Sequence, residues 1–135
     1  MKQGVHFANV DLELECGSDL QPLIGDLGPD ISVQYHDRLE NGNDFASLAI
    51  RSDKVQSGVY GDADKTISAF CDVIERISPE AKTIWDRCVK RELDVGFESG
   101  NTGKTFEGRL ETLTLRRVVE IGATIEITIY PVPKD

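Results

Sequence analysis

The chain has no long apolar segment and few of the cysteines and histidines that bind zinc. None of its 135 residues belongs to a run approaching the roughly 20 apolar residues that a membrane-spanning helix needs, and Met1–Phe7 does not resemble a signal peptide. The three cysteines form no C-x-x-C pair and lie far from both histidines, so they show no zinc-ligand spacing. We therefore predict a cytoplasmic protein with buried, reduced thiols, no metal and no cofactor.

Positive charge is also scarce, because 15 lysines and arginines face 24 acids and leave a net charge of −9. The imbalance is concentrated in residues 1–44, where nine acids and two bases leave −7. Binding to nucleic acid or to an anionic membrane requires a cationic surface, so neither partner is expected. An acidic surface instead attracts a basic protein.

Catalytic motifs are missing as well. No G-x-S-x-G nucleophile elbow occurs, and His6 and His36 have no fixed third group with which to form a catalytic set. The segment Glu98–Thr105 ends like a phosphate-binding loop, but Glu98 occupies the leading glycine position and no amphipathic helix follows Lys104. We predict no catalytic residues, and the sequence favours a non-enzyme without deciding the question.

The first strand shows the clearest alternation. Its apolar side holds Val10, Leu12, Leu14 and Cys16, while three acids, Asp11, Glu13 and Glu15, occupy the other side. Such a period of two predicts a strand with one buried face and one face that carries carboxylates.

Helical spacing and helix-end signals place the remaining elements. Ser18 and Gln21 have the form of a capping box, Asp62 or Asp64 is expected to cap the long helix, and Ser78 precedes a proline at the start of another. Residues 51–61 are predicted to form a polar surface loop. The closing segment Leu113–Tyr130 has helical spacing up to Gly122 and a period of two after it, which predicts a buried strand face formed by three isoleucines, Ile125, Ile127 and Ile129.

These signals predict one α+β domain over residues 1–135, with the order β-α-β-β-α-α-β-α-β. Its single-layer, mostly antiparallel sheet has about five strands packed by three to four helices.

From Asp64 to Tyr130 the chain resembles the bacterial family named domain of unknown function 4279. The resemblance rests on the long helix Ile67–Ile77, the strand Leu93–Phe97, a Gly/Asn-rich loop, and the helix-Gly-Ala-strand-Tyr ending that starts at Leu113. It implies a small α+β sandwich with no established enzymatic residues and no cofactor.

Two functional hypotheses follow. The first is a non-enzymatic interaction module, in its sharpest form an acidic immunity protein or inhibitor of a basic toxin. Its candidate partner-binding face consists of six acids: Asp11, Glu13, Glu15, Asp37, Glu40 and Asp44. The alternative is a small-molecule-binding domain or enzyme with a pocket between sheet and helices, near Tyr35, His36 and Trp85. The chain is expected to be a monomer, or a homodimer formed through a sheet edge.

Overall fold

A computed structural model describes residues 4–51 and 62–132. Within them the chain forms five strands: β1 (His6–Cys16), β2 (Ile31–Arg38), β3 (Asp44–Ile50), β4 (Lys90–Glu98) and β5 (Thr124–Tyr130). Four helices lie between them: α1 (Gln21–Leu27), α2 (Ala63–Ile74), α3 (Pro79–Arg87) and α4 (Thr112–Ile121). The predicted α+β class and element order are confirmed. Apart from Arg51, the loop predicted over residues 51–61 lies outside the described residues.

The strands form one open sheet in the order β2-β3-β1-β4-β5. The pairs β2–β3, β3–β1 and β1–β4 are antiparallel, and β5 joins β4 in parallel. A parallel neighbour requires a crossover connection, which α4 supplies. The strands β2 and β5 are therefore the two edges of the sheet.

All four helices contribute to one core on a single face of the sheet. The alternating residues Val10, Leu12, Leu14 and Cys16 of β1 are buried there against α1, α2, α3 and α4. Trp85 of α3 is fully buried, and its indole N–H donates to the Ile121 carbonyl at 2.8 Å. The three cysteines are free and buried, as predicted.

The helix ends can be compared with the capping residues that the sequence predicts. Asp62 caps α2 by accepting from the Lys65 amide, Ser78 caps α3 by accepting from the Ala81 amide, and Gly122 ends α4 with φ of 76°. The capping box predicted at Ser18 is wrong, because α1 begins after Leu20, whose amide donates to the Asp44 carboxylate instead.

The helix α4 is tied to α2 through Arg117. Its guanidinium donates to both oxygens of Glu75, at 2.9 and 2.7 Å, and to Asp72 at 2.6 Å. In the sequence, Arg117 lies three residues before Glu120, a spacing at which two side chains of one helix can pair. The sequence could not show that two carboxylates of α2 face Arg117.

Candidate binding surface on the open face of the sheet

The second face of the sheet has no described helix packed against it and is strongly acidic. The alternate residues Asp11, Glu13 and Glu15 of β1 point away from the core, and the register of β1 with β4 places Asp94 beside Asp11 and Glu92 beside Glu13. In β5, Glu126 lies beside Asp94. Neighbouring residues in register share a face. We call the resulting six-carboxylate surface the acidic face: Asp11, Glu13, Glu15, Glu92, Asp94 and Glu126.

One cation lies among these carboxylates. Lys90 Nζ is 3.1 Å from Glu13 Oε1 and 3.8 Å from Glu92 Oε1, and it lies 5.8 Å from the centre of the Phe45 ring. Among the strand residues described on this face, Lys90 is the only lysine or arginine. The face therefore keeps a large excess of negative charge.

The pKa values show that this charge is incompletely compensated. The pKa of Glu92 is raised, first by the neighbouring Glu126 carboxyl and then by burial. The pKa of Asp11 is raised by burial and by the charges of Asp94 and Glu13. The raised pKa values mean that the surroundings of Glu92 and Asp11 disfavour their ionised forms. A cation placed on the acidic face would favour the ionised forms.

Glu15, at one end of the acidic face, is the exception. Its Oε2 accepts hydrogen bonds from the side-chain amides of Asn43, at 2.8 Å, and Asn41, at 3.3 Å. Both asparagines belong to the turn between β2 and β3. These bonds stabilise the carboxylate and lower the pKa of Glu15.

Aromatic side chains flank the acidic face on two sides. Tyr35 and Phe45 lie beyond β1, with ring centres 6.0 Å apart. On the other side Tyr130 packs close to Gly96, where an added Cβ would lie 3.0 Å from the ring. The pKa of Tyr130 is raised by burial and by the charges of Asp94, Asp11 and Glu13, which places its ring beside the acids.

The structure distributes the six predicted acids differently from the hypothesis. Asp37 lies on the edge strand β2, where pairing with Phe45 puts it on the open face of the sheet, separated from Glu15 by β3. Glu40 is exposed on the turn that follows β2. Asp44 is only 6% exposed and lies on the helix side of the sheet, so it does not belong to the acidic face. In their place the face gains three residues, Glu92, Asp94 and Glu126. Their alternation along β4 and β5 was the signal that could have identified them.

Asp44 instead connects three elements. Its Oδ2 accepts from the Leu20 amide at 2.8 Å and lies 2.8 Å from His36 Nε2. Burial raises its pKa, but the hydrogen bonds from His36 and the Leu20 amide outweigh this and leave the pKa lowered. The carboxylate is therefore ionised at neutral pH and ties β2 and β3 to the start of α1.

The residues Asp19, His36 and Asp44 form a group that could hold a metal ion. One ligand atom from each lies within 4.8 Å of the others. However, Asp19 Oδ1 already accepts from the Gln21 amide, and Asp44 Oδ2 has the two partners named above. These intramolecular bonds account for the arrangement without a metal.

A groove of about 1020 Å³ lies on the helix side of the sheet, between the start of α2 and the segment that precedes α4. Its apolar lining includes Phe97, Phe106, Ile127 and Ile129. The small-molecule hypothesis predicted a pocket near Tyr35, His36 and Trp85, but none of these three residues lines the groove.

The segment Glu98–Thr105 does not build a phosphate site. No helix begins after Lys104 until Thr112, so the loop does not lead directly into a helix N-terminus as a phosphate-binding loop does. Glu98 lies 3.1 Å from His6 Nε2 at the end of the sheet.

Comparisons with protein-family models, with curated proteins and with solved structures found no match to this chain. The resemblance to domain of unknown function 4279 therefore stays a prediction from the sequence. Within the described residues, no helix combines the length and the apolar character required to cross a membrane.

Proposed function

We propose that this protein is a non-enzymatic binding module whose acidic face holds a cationic surface of another protein. The observation that carries the proposal is the composition of the face: six carboxylates and one lysine on a sheet surface that no described helix covers. A partner that brings lysines or arginines would neutralise charges that now repel one another. Such complementarity accelerates association and selects against acidic partners.

The dimensions favour a macromolecule over a small cation. Alternate residues along a strand are about 7 Å apart and neighbouring strands about 4.8 Å apart, so the face spans roughly 14 by 10 Å. The flanking rings of Phe45 and Tyr130 add apolar contact area of the kind that dominates protein interfaces. A basic protein offers both charges and apolar groups over such an area.

The sharpest form of the proposal is an inhibitor of a basic toxin or nuclease in the cytoplasm. An inhibitor of that kind needs a complementary surface and no catalytic group. The thiols agree with a non-enzymatic role, because burial raises the pKa of Cys71 to about 11 and that of Cys88 to about 12. Neither thiol forms the reactive thiolate at neutral pH.

Affinity capture from a lysate of the source organism tests the proposal. We expect the immobilised protein to retain a basic protein that is released when salt is raised from about 0.05 to 0.5 M, because screening shortens the reach of the charges. A Glu13→Gln/Asp94→Asn variant, which removes two charges from the acidic face, should lose this protein.

The control is Glu80→Gln/Glu120→Gln, which removes the same charge from exposed positions on α3 and α4. Capture should persist in the control. The proposal is wrong if the two variants capture the protein equally, or if the captured proteins are not basic.

A further inference from the structure

The two edges of the sheet differ in how they are protected from pairing with another chain. The edge strand β2 contains a bulge, because its register against β3 shifts between Val33 and Tyr35, and it ends in Asp37 and Arg38. Bulges and charges are common means of blocking an edge. The strand β5 pairs with β4 in unbroken register and contains neither proline nor lysine between Thr124 and Tyr130.

The two sides of β5 also differ in chemistry. On the helix side Ile127 and Ile129 are each 64% exposed and line the groove described above. On the other side Glu126 extends the acidic face to the last strand, next to Glu92. A chain lying along this edge would therefore meet apolar groups on one side and carboxylates on the other.

We propose that an extended segment of the cationic partner adds as a sixth strand to the edge of β5 that no described strand pairs with. In a strand, successive side chains point to opposite faces. A segment that alternates basic and apolar residues places its basic groups near Glu126 and its apolar groups on Ile127 and Ile129. This proposal rests on the proposed function and specifies how the partner is held.

Charge decides between this partner and a second copy of the chain. Antiparallel pairing of two β5 strands about Ile127 would set Glu126 opposite Thr128 of the copy and place the two Glu126 side chains diagonally, about 7–8 Å apart. Each copy also carries a net charge of −9. A cationic segment forms the same backbone hydrogen bonds and adds attraction in place of this repulsion.

The test uses a soluble seven-residue peptide of alternating lysine and valine, which matches the length of β5. Its twin has the same sequence with the amide nitrogens methylated along both edges, which removes the backbone hydrogen-bond donors in either orientation without changing the charge. We expect calorimetry to show binding at least about tenfold weaker for the twin, because its hydrogen bonds to the β5 backbone are lost. The amide protons of β5, and not those of β2, should gain protection from exchange when the unmodified peptide binds.

Two variants locate the contact. Ile127→Ser should weaken binding of the unmodified peptide several-fold, because it removes an apolar contact at the edge without altering charge. Val119→Ser is the matched control, since Val119 is 76% exposed on α4 and its loss should leave binding unchanged. Thermal melting of both variants shows whether they fold.

The outcomes separate this proposal from the proposed function. If both peptides bind equally and the Glu13→Gln/Asp94→Asn variant binds neither, strand addition is wrong and the acidic face remains the binding surface. If neither peptide binds the unaltered protein, strand addition is wrong, and the affinity capture described above decides the proposed function separately. If light scattering shows a dimer that Ile127→Ser dissociates, the edge belongs to a second copy and strand addition by a partner is wrong.

Discussion

The two faces of the sheet carry different kinds of side chain on the same backbone. On β1, Leu12 and Leu14 are fully buried beneath the helices, whereas Glu13, between them, lies on the acidic face. The covered face supplies the apolar burial that stabilises the fold. The open face holds carboxylates whose mutual repulsion does not help folding. Along the strand, a residue that stabilises the fold is thus next to a residue of the proposed binding surface.

The largest expected effect on stability comes from a substitution in the covered face of the sheet. Leu12→Ala should lower the free energy of unfolding by about 3–5 kcal/mol, because it removes apolar contacts and leaves a cavity in a close-packed core. Glu13→Gln, the adjacent substitution on the open face, should change it by less than about 0.5 kcal/mol. Urea denaturation of both variants measures the difference. Comparable losses for the two variants would show that the open face also carries stability.

The second comparison uses two aspartates on opposite faces. Asp44→Asn should cost about 1–3 kcal/mol, because a buried carboxylate that accepts from Leu20 and contacts His36 is replaced by a neutral group. Asp94→Asn should cost less, since the amide oxygen of asparagine can still accept from Thr128 and one repelling charge is removed. Equal destabilisation in the same urea experiment would contradict the assignment of Asp94 to an uncompensated face.

Sequence patterns predicted the elements and the faces of the strands because both depend on neighbours in the chain. The alternation in β1 and the glycine stop at Gly122 are of this kind, and both are confirmed. Coverage of a face depends on distant segments. The isoleucines of β5 were correctly grouped on one side, but the prediction that this side is buried is wrong for Ile127 and Ile129.

The candidate site shows the same limit. Asp44 is predicted among the surface acids, but the register of β3 turns its side chain inward. There it accepts a hydrogen bond from the Leu20 amide, 24 residues away in the sequence, close to the predicted Ser18 cap. Conversely, Glu92 and Glu126 belong to β4 and β5, which are distant from β1 in the chain. Only the strand order brings their carboxylates beside Asp11 and Glu13.

The smallest expected effect concerns how each face responds to pH. The pKa of Asp44 is lowered, so its contribution to stability is present above the pKa of the unfolded chain and is lost as the pH falls through the folded value. The pKa of Glu92 is raised, so its ionised form opposes folding at neutral pH and the opposition disappears as the pH falls. Glu92→Gln should therefore stabilise the protein at pH 7 by less than about 1 kcal/mol.

Urea midpoints measured from neutral pH down to about pH 4 test whether Glu92→Gln stabilises the protein, since unperturbed glutamates titrate near the lower end of that range. The advantage of Glu92→Gln should shrink as Glu92 of the unaltered protein takes up its proton. Glu107→Gln serves as the control, because Glu107 is exposed in the segment that precedes α4, on the helix side of the sheet and outside any helix. If Glu92→Gln destabilises the protein at pH 7 and this loss of stability becomes smaller in acid, Lys90 compensates the negative charge of Glu92. The acidic face would then hold less free charge for a partner than its composition indicates.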